Sequence, residues 1–287
     1  EFSSFYQNKV ISGKTGTDGM TELDDLLKII FAQPEAAKFI CRKLYRFFVY
    51  YDIDAATEEN IITPLAEIFR SSEYDITITL NALLCSEHFF DPLNMACLIN
   101  SPADFCIGIC REYNITFPTN YPDQYNAWSF IHSRAASMLQ NFGDPPLVAG
   151  WDAYYQEPAF HELWINTDTL PKRNKLSDGL ISTNGISDLK IDVLAYAGSL
   201  SNPGDPIVLI DDALKLLYRV NVSDNLRGFL KNTILLSGQS PDSNYYWTQA
   251  WNAYVASSTN ATAKENVEGR LQSLFKYIMN LSEYQLA

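Results

Sequence analysis

Histidine is scarce in this chain, with three in 287 residues, and cations are outnumbered: 21 Lys+Arg face 34 Asp+Glu, a formal net charge of −13. A polyanion needs clustered cations to neutralise its phosphates, so nucleic acid is excluded as a partner. His88, His132 and His161 are too few for a histidine-rich metal centre, and no metal or other cofactor is predicted. No run approaches the roughly 20 apolar residues of a membrane-spanning helix, so no transmembrane segment is predicted. Five cysteines, Cys41, Cys85, Cys97, Cys106 and Cys110, are odd in number and lack CxxC spacing. They read as small buried hydrophobes rather than disulfides. The chain opens Glu1-Phe2-Ser3-Ser4, with no methionine and no basic-then-apolar leader, as expected of a mature or trimmed product.

Familiar catalytic signatures are missing too. Gly13-Lys14-Thr15 resembles the end of a phosphate loop, but Asn8 stands where its leading glycine belongs. There is no G-x-S-x-G elbow, and His161-Glu162 is not followed by a second histidine at zincin spacing.

What is present is a core. The sequence is 47% hydrophobic, with 17 Tyr, 16 Phe and 5 Trp, which excludes disorder as a description of the whole. Its periodicity is helical. Leu23, Leu26, Leu27, Ile30 and Phe31 fall on one helical face, and Pro34 restarts the chain before a stripe of Ile40, Leu44, Phe47, Phe48 and Tyr51. Lys38, Arg42 and Arg46 stack beside that stripe, as a solvated face or as partners of nearby acids.

Thr57 is predicted to cap a segment with Ile61, Leu65, Ile68 and Phe69, with Pro64 as a kink or a late first turn, and Asp75 to open one with Ile76, Leu80, Leu83 and Leu84. Ser101-Pro102-Ala103-Asp104 is a strong start signal. A long helix is predicted from Pro122 to Phe142, stopped by Gly143. Further helices follow Asn166, Asp205-Pro206, Ser223 and Ser240-Pro241, and a Thr262/Glu265 capping box opens the last. With no alternating strands and no internal repeat, the prediction is an all-α, non-repeat, single multi-helical domain over 1–287, its first 20 residues a flexible segment.

Residues 144–166 break the rhythm. Pro145-Pro146, Gly150-Trp151, Tyr154-Tyr155, Pro158 and Trp164 belong to neither period, and a long irregular loop inside a compact fold is often functional. Aromatic faces stack on flat apolar ligands, so Trp151, Tyr154, Tyr155 and Trp164, with Asn166 alongside, are candidate ligand-binding residues. The plainer alternative is that the rings pin the loop to the helices. Glu157, His161 and Glu162 bring carboxylates and an imidazole together, with Asp168 and Arg173 completing a candidate catalytic cluster. Its plain alternative is exposed acids and a histidine bonded to backbone.

Several segments resemble the domain-of-unknown-function 1800 family. The run Glu22-Leu23-Asp24-Asp25-Leu26-Leu27 is followed by Gln33-Pro34-Glu35-Ala36-Ala37-Lys38-Phe39-Ile40-Cys41-Arg42-Lys43-Leu44-Tyr45-Arg46-Phe47-Phe48-Val49, an acidic leucine helix and then a "P-x-x-A-x-F-I-x-x-K-L-x-x-F-F" helix. The likeness continues through Pro64 to Arg70, Leu83 to Phe90, Ser101-Pro102, Gly150-Trp151, Trp164 to Thr167 and Arg173-Asn174. The resemblance implies a helical bacterial protein that is extracytoplasmic (periplasmic, cell-surface or secreted), commonly encoded beside a second exported protein, with no assigned reaction. It also implies that this chain is the C-terminal part of a longer type, with the Tyr154 to Glu162 stretch in place of a shorter glycine-rich connection.

Two functional expectations follow. One is a non-catalytic module binding a protein partner or a glycan through the aromatic loop. The other is a hydrolase or metal-assisted enzyme using Glu157, His161, Glu162 and Asp168.

Overall fold

A computed structural model describes residues 8–287, and the fold in it is all-α. Among these residues the only β-type pairings are isolated bridges. Among the described residues no helix is long and apolar enough to cross a membrane. The chain folds as two compact units that meet in sequence at Asn94 and Met95.

In the first unit, a 3₁₀ turn over Gly16–Met20 leads into α1 (Thr21–Phe31). Part of the predicted flexible segment is therefore structured: the Lys14 Nζ bonds Asp25 at 2.8 Å. Residues 1–7 of it lie outside the described residues. The apolar stripe of α1 forms as spaced, yet none of its residues is buried.

Next comes α2 (Pro34–Phe48), whose first-turn proline loses no helical hydrogen bond. It buries Ala37, Cys41 and Tyr45, while Phe47 and Phe48 are 64% and 38% exposed. The buried face is thus rotated from the one the predicted stripe marks, because small Ala37 and Cys41, one turn apart, let α4 approach, with Tyr45 continuing the same face. The basic row pairs with acids: Arg42 bonds Glu58 at 2.8 Å and also bonds Glu35, and Lys38 lies 3.7 Å from Glu58.

After that, α3 (Ala55–Thr57) is capped by Asp54, not Thr57, because the Asp54 carboxylate accepts the Thr57 N–H at 2.7 Å. A π-helical turn over Glu58–Ile62 joins it to α4 (Thr63–Ser71), with Pro64 in the first turn. Then α5 (Ile76–Leu84) opens on its Asp75 cap. Val49, Ile62, Leu65, Ala66, Phe69 and Leu83 close this core around Ala37, Cys41 and Tyr45.

The second unit opens with α6 (Pro102–Glu112), capped by Ser101. Its successor α7 (Tyr121–Ser137) ends earlier than predicted: Leu139, in the left-handed region at φ 79°, turns the chain before Gly143 is reached. Then come α8 (Thr169–Ile181), α9 (Val193–Gly198), α10 (Pro206–Leu217), α11 (Asp224–Phe229), α12 (Asn244–Ala256) and α13 (Ala261–Asn280).

A π-helical segment, Leu230–Leu235, extends α11. Two predicted starts move. The opening residue of α12 is Asn244 rather than one beside Pro241, and α13 is capped by Asn260, whose amide oxygen accepts the Ala263 N–H at 3.2 Å, so Thr262 falls inside the helix. Within this unit α13 is the central helix, packed against α8, α9, α12 and the π segment and burying Val267, Leu271, Leu274, Phe275, Ile278 and Met279.

Candidate functional site

The irregular segment is ordered by its own rings. Short 3₁₀ turns over Asp152–Tyr154 and Phe160–Trp164 set the aromatic side chains in series. Trp151 meets Tyr154 edge-on at 6.4 Å between ring centres, and Tyr154 meets Trp164 edge-on at 5.6 Å. Edge-to-face contacts join the negative face of one ring to the positive edge of the next, fixing each orientation.

The series runs from surface to core. Tyr154 is 50% exposed and Trp164 3%. Trp164 therefore anchors the loop and offers no open face, while Tyr155 is held outside by its hydroxyl, which donates to Asp152 at 2.6 Å. Leu147 and Val148 form the tip just before the series, and Val148 is fully exposed. Asn166 is a turn residue whose amide oxygen accepts the N–H groups of Asp168 and Thr169, at 2.8 and 2.9 Å, where α8 begins.

The candidate catalytic residues are dispersed in role. Glu157, Glu162 and Asp168 are exposed, and Asp168 bonds Lys172 at 2.5 Å. His161 turns inward. Its Nδ1 accepts the Ile99 N–H at 3.0 Å, which places the proton of the neutral ring on Nε2. Burial lowers its pKa, against the opposing pull of the Glu162 carboxylate.

Arg173 is wholly buried. It donates to the Asn100 carbonyl at 2.8 Å and to the Gln285 amide oxygen at 3.3 Å, stands over the Phe105 ring, and leaves its Nε without a partner. Burial pulls its pKa down to about 10. His161 and Arg173 thus act on consecutive backbone groups of the 98–100 segment. The same segment pairs with the last residues through Asn100 N–H to Gln285 O and Ala287 N–H to Leu98 O, both at 2.8 Å. Sequence spacing could not reveal this convergence, because Ile99 and His161 are 62 positions apart.

Among the described residues no group of three or more His, Cys, Asp or Glu side chains is placed to hold a metal. The arrangement is a clamp on backbone, bordered by an exposed loop of rings and aliphatic tips. Over residues 4–286 the sequence matches the family described as "Protein of unknown function (DUF1800)". No curated protein and no solved structure matches it.

Proposed function

The chain belongs to the DUF1800 family, and we propose that its second unit is a binding module that grips a protein partner through the 144–166 loop. The observation that carries this reading is the exposure of Val148 and Leu147 beside half-exposed Tyr154 and Tyr155 on a loop whose base is fixed by buried Trp164. An anchored apolar tip is pre-organised for association, because little ordering entropy remains to be lost. Asp144, Asp152, Glu157 and Glu162 surround it as exposed carboxylates, which favours a partner with a basic rim. A glycan is the weaker fit, since the rings meet edge-on and offer no broad coplanar platform. The setting is extracytoplasmic, in line with the exported character that the motif resemblance implies.

A photo-crosslinking residue at Val148 of the full chain, expressed in its source cells, is expected to give a discrete protein adduct absent from the same probe at Lys175. Identical adducts at both positions, or none at Val148, overturn the reading.

A further inference from the structure

Away from the aromatic loop, a cavity of about 200 Å³ opens between α6, the end of α10 and the C-terminal segment of the second unit. One row of α6 forms its floor: Asp104, Gly108 and Glu112, at four-residue spacing. Asn100, Arg219 and Tyr284 close the sides.

Gly108 is the member of the row without a side chain. Glycine inside a helix is destabilising relative to alanine, and helical glycines commonly survive where a neighbouring backbone needs the space. Nothing lies within 4 Å of where its Cβ would be. Packing therefore does not call for a glycine here, and the space it leaves belongs to the cavity.

The polar groups around that space are partly committed. Tyr284 donates its hydroxyl to Glu112 at 2.7 Å, and Arg219 lies 3.7 Å from the same carboxylate. Ser101 donates to one oxygen of Asp104 at 2.7 Å. The other Asp104 oxygen and the Asn100 side-chain amide make no hydrogen bond among the described residues. Arg219 also donates through one guanidinium nitrogen to the Leu216 carbonyl at 3.1 Å, so the groups left over are an acceptor on Asp104, the donor and acceptor of the Asn100 amide and the remaining N–H groups of Arg219, with Gly108 between Asp104 and Glu112 in the row. A ligand that meets them must both donate and accept at several points, which is the chemistry of vicinal hydroxyls. A volume of about 200 Å³ is room for one sugar ring.

We propose that this cavity is a monosaccharide site, with Asp104, Asn100 and Arg219 holding hydroxyls and Gly108 admitting the ring against the helix backbone. The site is separate from the loop proposed above, and either can fail without the other.

Saturation-transfer NMR on the full chain, with D-glucose, D-galactose, D-mannose and N-acetylglucosamine as probes and putrescine as a cationic control, tests it. Transfer to at least one sugar is expected. It should be abolished by Gly108→Leu, weakened about tenfold in affinity by Asp104→Asn, and unchanged by Lys175→Ala. Gly108→Ala separates binding from folding: it should raise the thermal midpoint, because alanine favours the helix and meets no neighbour, while binding weakens. No transfer to any of the four sugars, transfer that survives Gly108→Leu, or transfer to putrescine alone overturns the proposal.

Discussion

The guanidinium carbon of Arg173 stands 4.9 Å from the centre of the Phe105 ring, in the core of the second unit, with no carboxylate among the described residues bonded to it. Its charge is met by a carbonyl, an amide oxygen and a π face. Such an arrangement stabilises through geometry more than through net Coulomb energy, because desolvating the cation offsets much of what the contacts return.

Arg173→Ala removes the ring contact and both hydrogen bonds and leaves a cavity, so it should destabilise by about 3 kcal/mol. Arg173→Met keeps most of the volume and removes the buried charge, and should lose about half as much. Urea denaturation of both variants checks the order. Equal losses would mean that the charge, and not the packing, holds the segment.

Acid should loosen the clamp through His161. Its pKa in the folded chain lies below the ordinary value of 6.5, so the unfolded chain takes up the proton first. The stabilisation is complete above pH 6.5 and declines as pH falls through the folded value, where a protonated ring can no longer accept the Ile99 N–H. His161→Asn retains an acceptor that does not titrate. Thermal midpoints recorded from pH 7.5 down to pH 5 should therefore fall more steeply for the native chain than for the variant, and parallel curves would refute the assignment.

The aromatic series predicts a division of labour along one loop. Trp164→Ala should cost about 3 to 5 kcal/mol of stability, as for other buried aromatics. Val148→Asp should stay within about 0.5 kcal/mol, since the residue touches little. Calorimetry on the two variants distinguishes anchor from tip.

Thiol reactivity should follow burial. None of the five cysteines is in a disulfide among the described residues, and burial pushes Cys106 up to about 12 and Cys41 and Cys110 to about 11. The thiolate is the reactive form, so iodoacetamide should label exposed Cys85 first and reach those three only on unfolding. Mass spectrometry of the alkylated native chain reads this directly.

Local chemistry was legible in the sequence where one residue decides the outcome. Ser101, Asp75, Asp205 and Ser223 cap the helices that their side chains announce, because an N-cap acts within three positions. It was less legible where two candidates compete: Asp54 displaced Thr57 and Asn260 displaced Thr262, each a few residues upstream. Faces were harder still. Hydrophobic spacing marked Phe47 on α2, but the helix turned Ala37, Cys41 and Tyr45 inward, since packing against α4 rewards the fit of a face over the size of its side chains. The loop from 144 to 166 was recognisable by composition, whereas the inward turn of His161 and Arg173 toward Ile99 and Asn100 is a long-range outcome that no local pattern encodes.

The widened turns at Glu58–Ile62 and Leu230–Leu235 each hold a residue more than an ordinary helical turn would need. Such a turn is a slack loop of thread within a stitched seam. Losing one residue there would tighten the coil locally and leave the stripes on either side facing where they already face, whereas the same deletion inside α13 would swing every following side chain by about 100°.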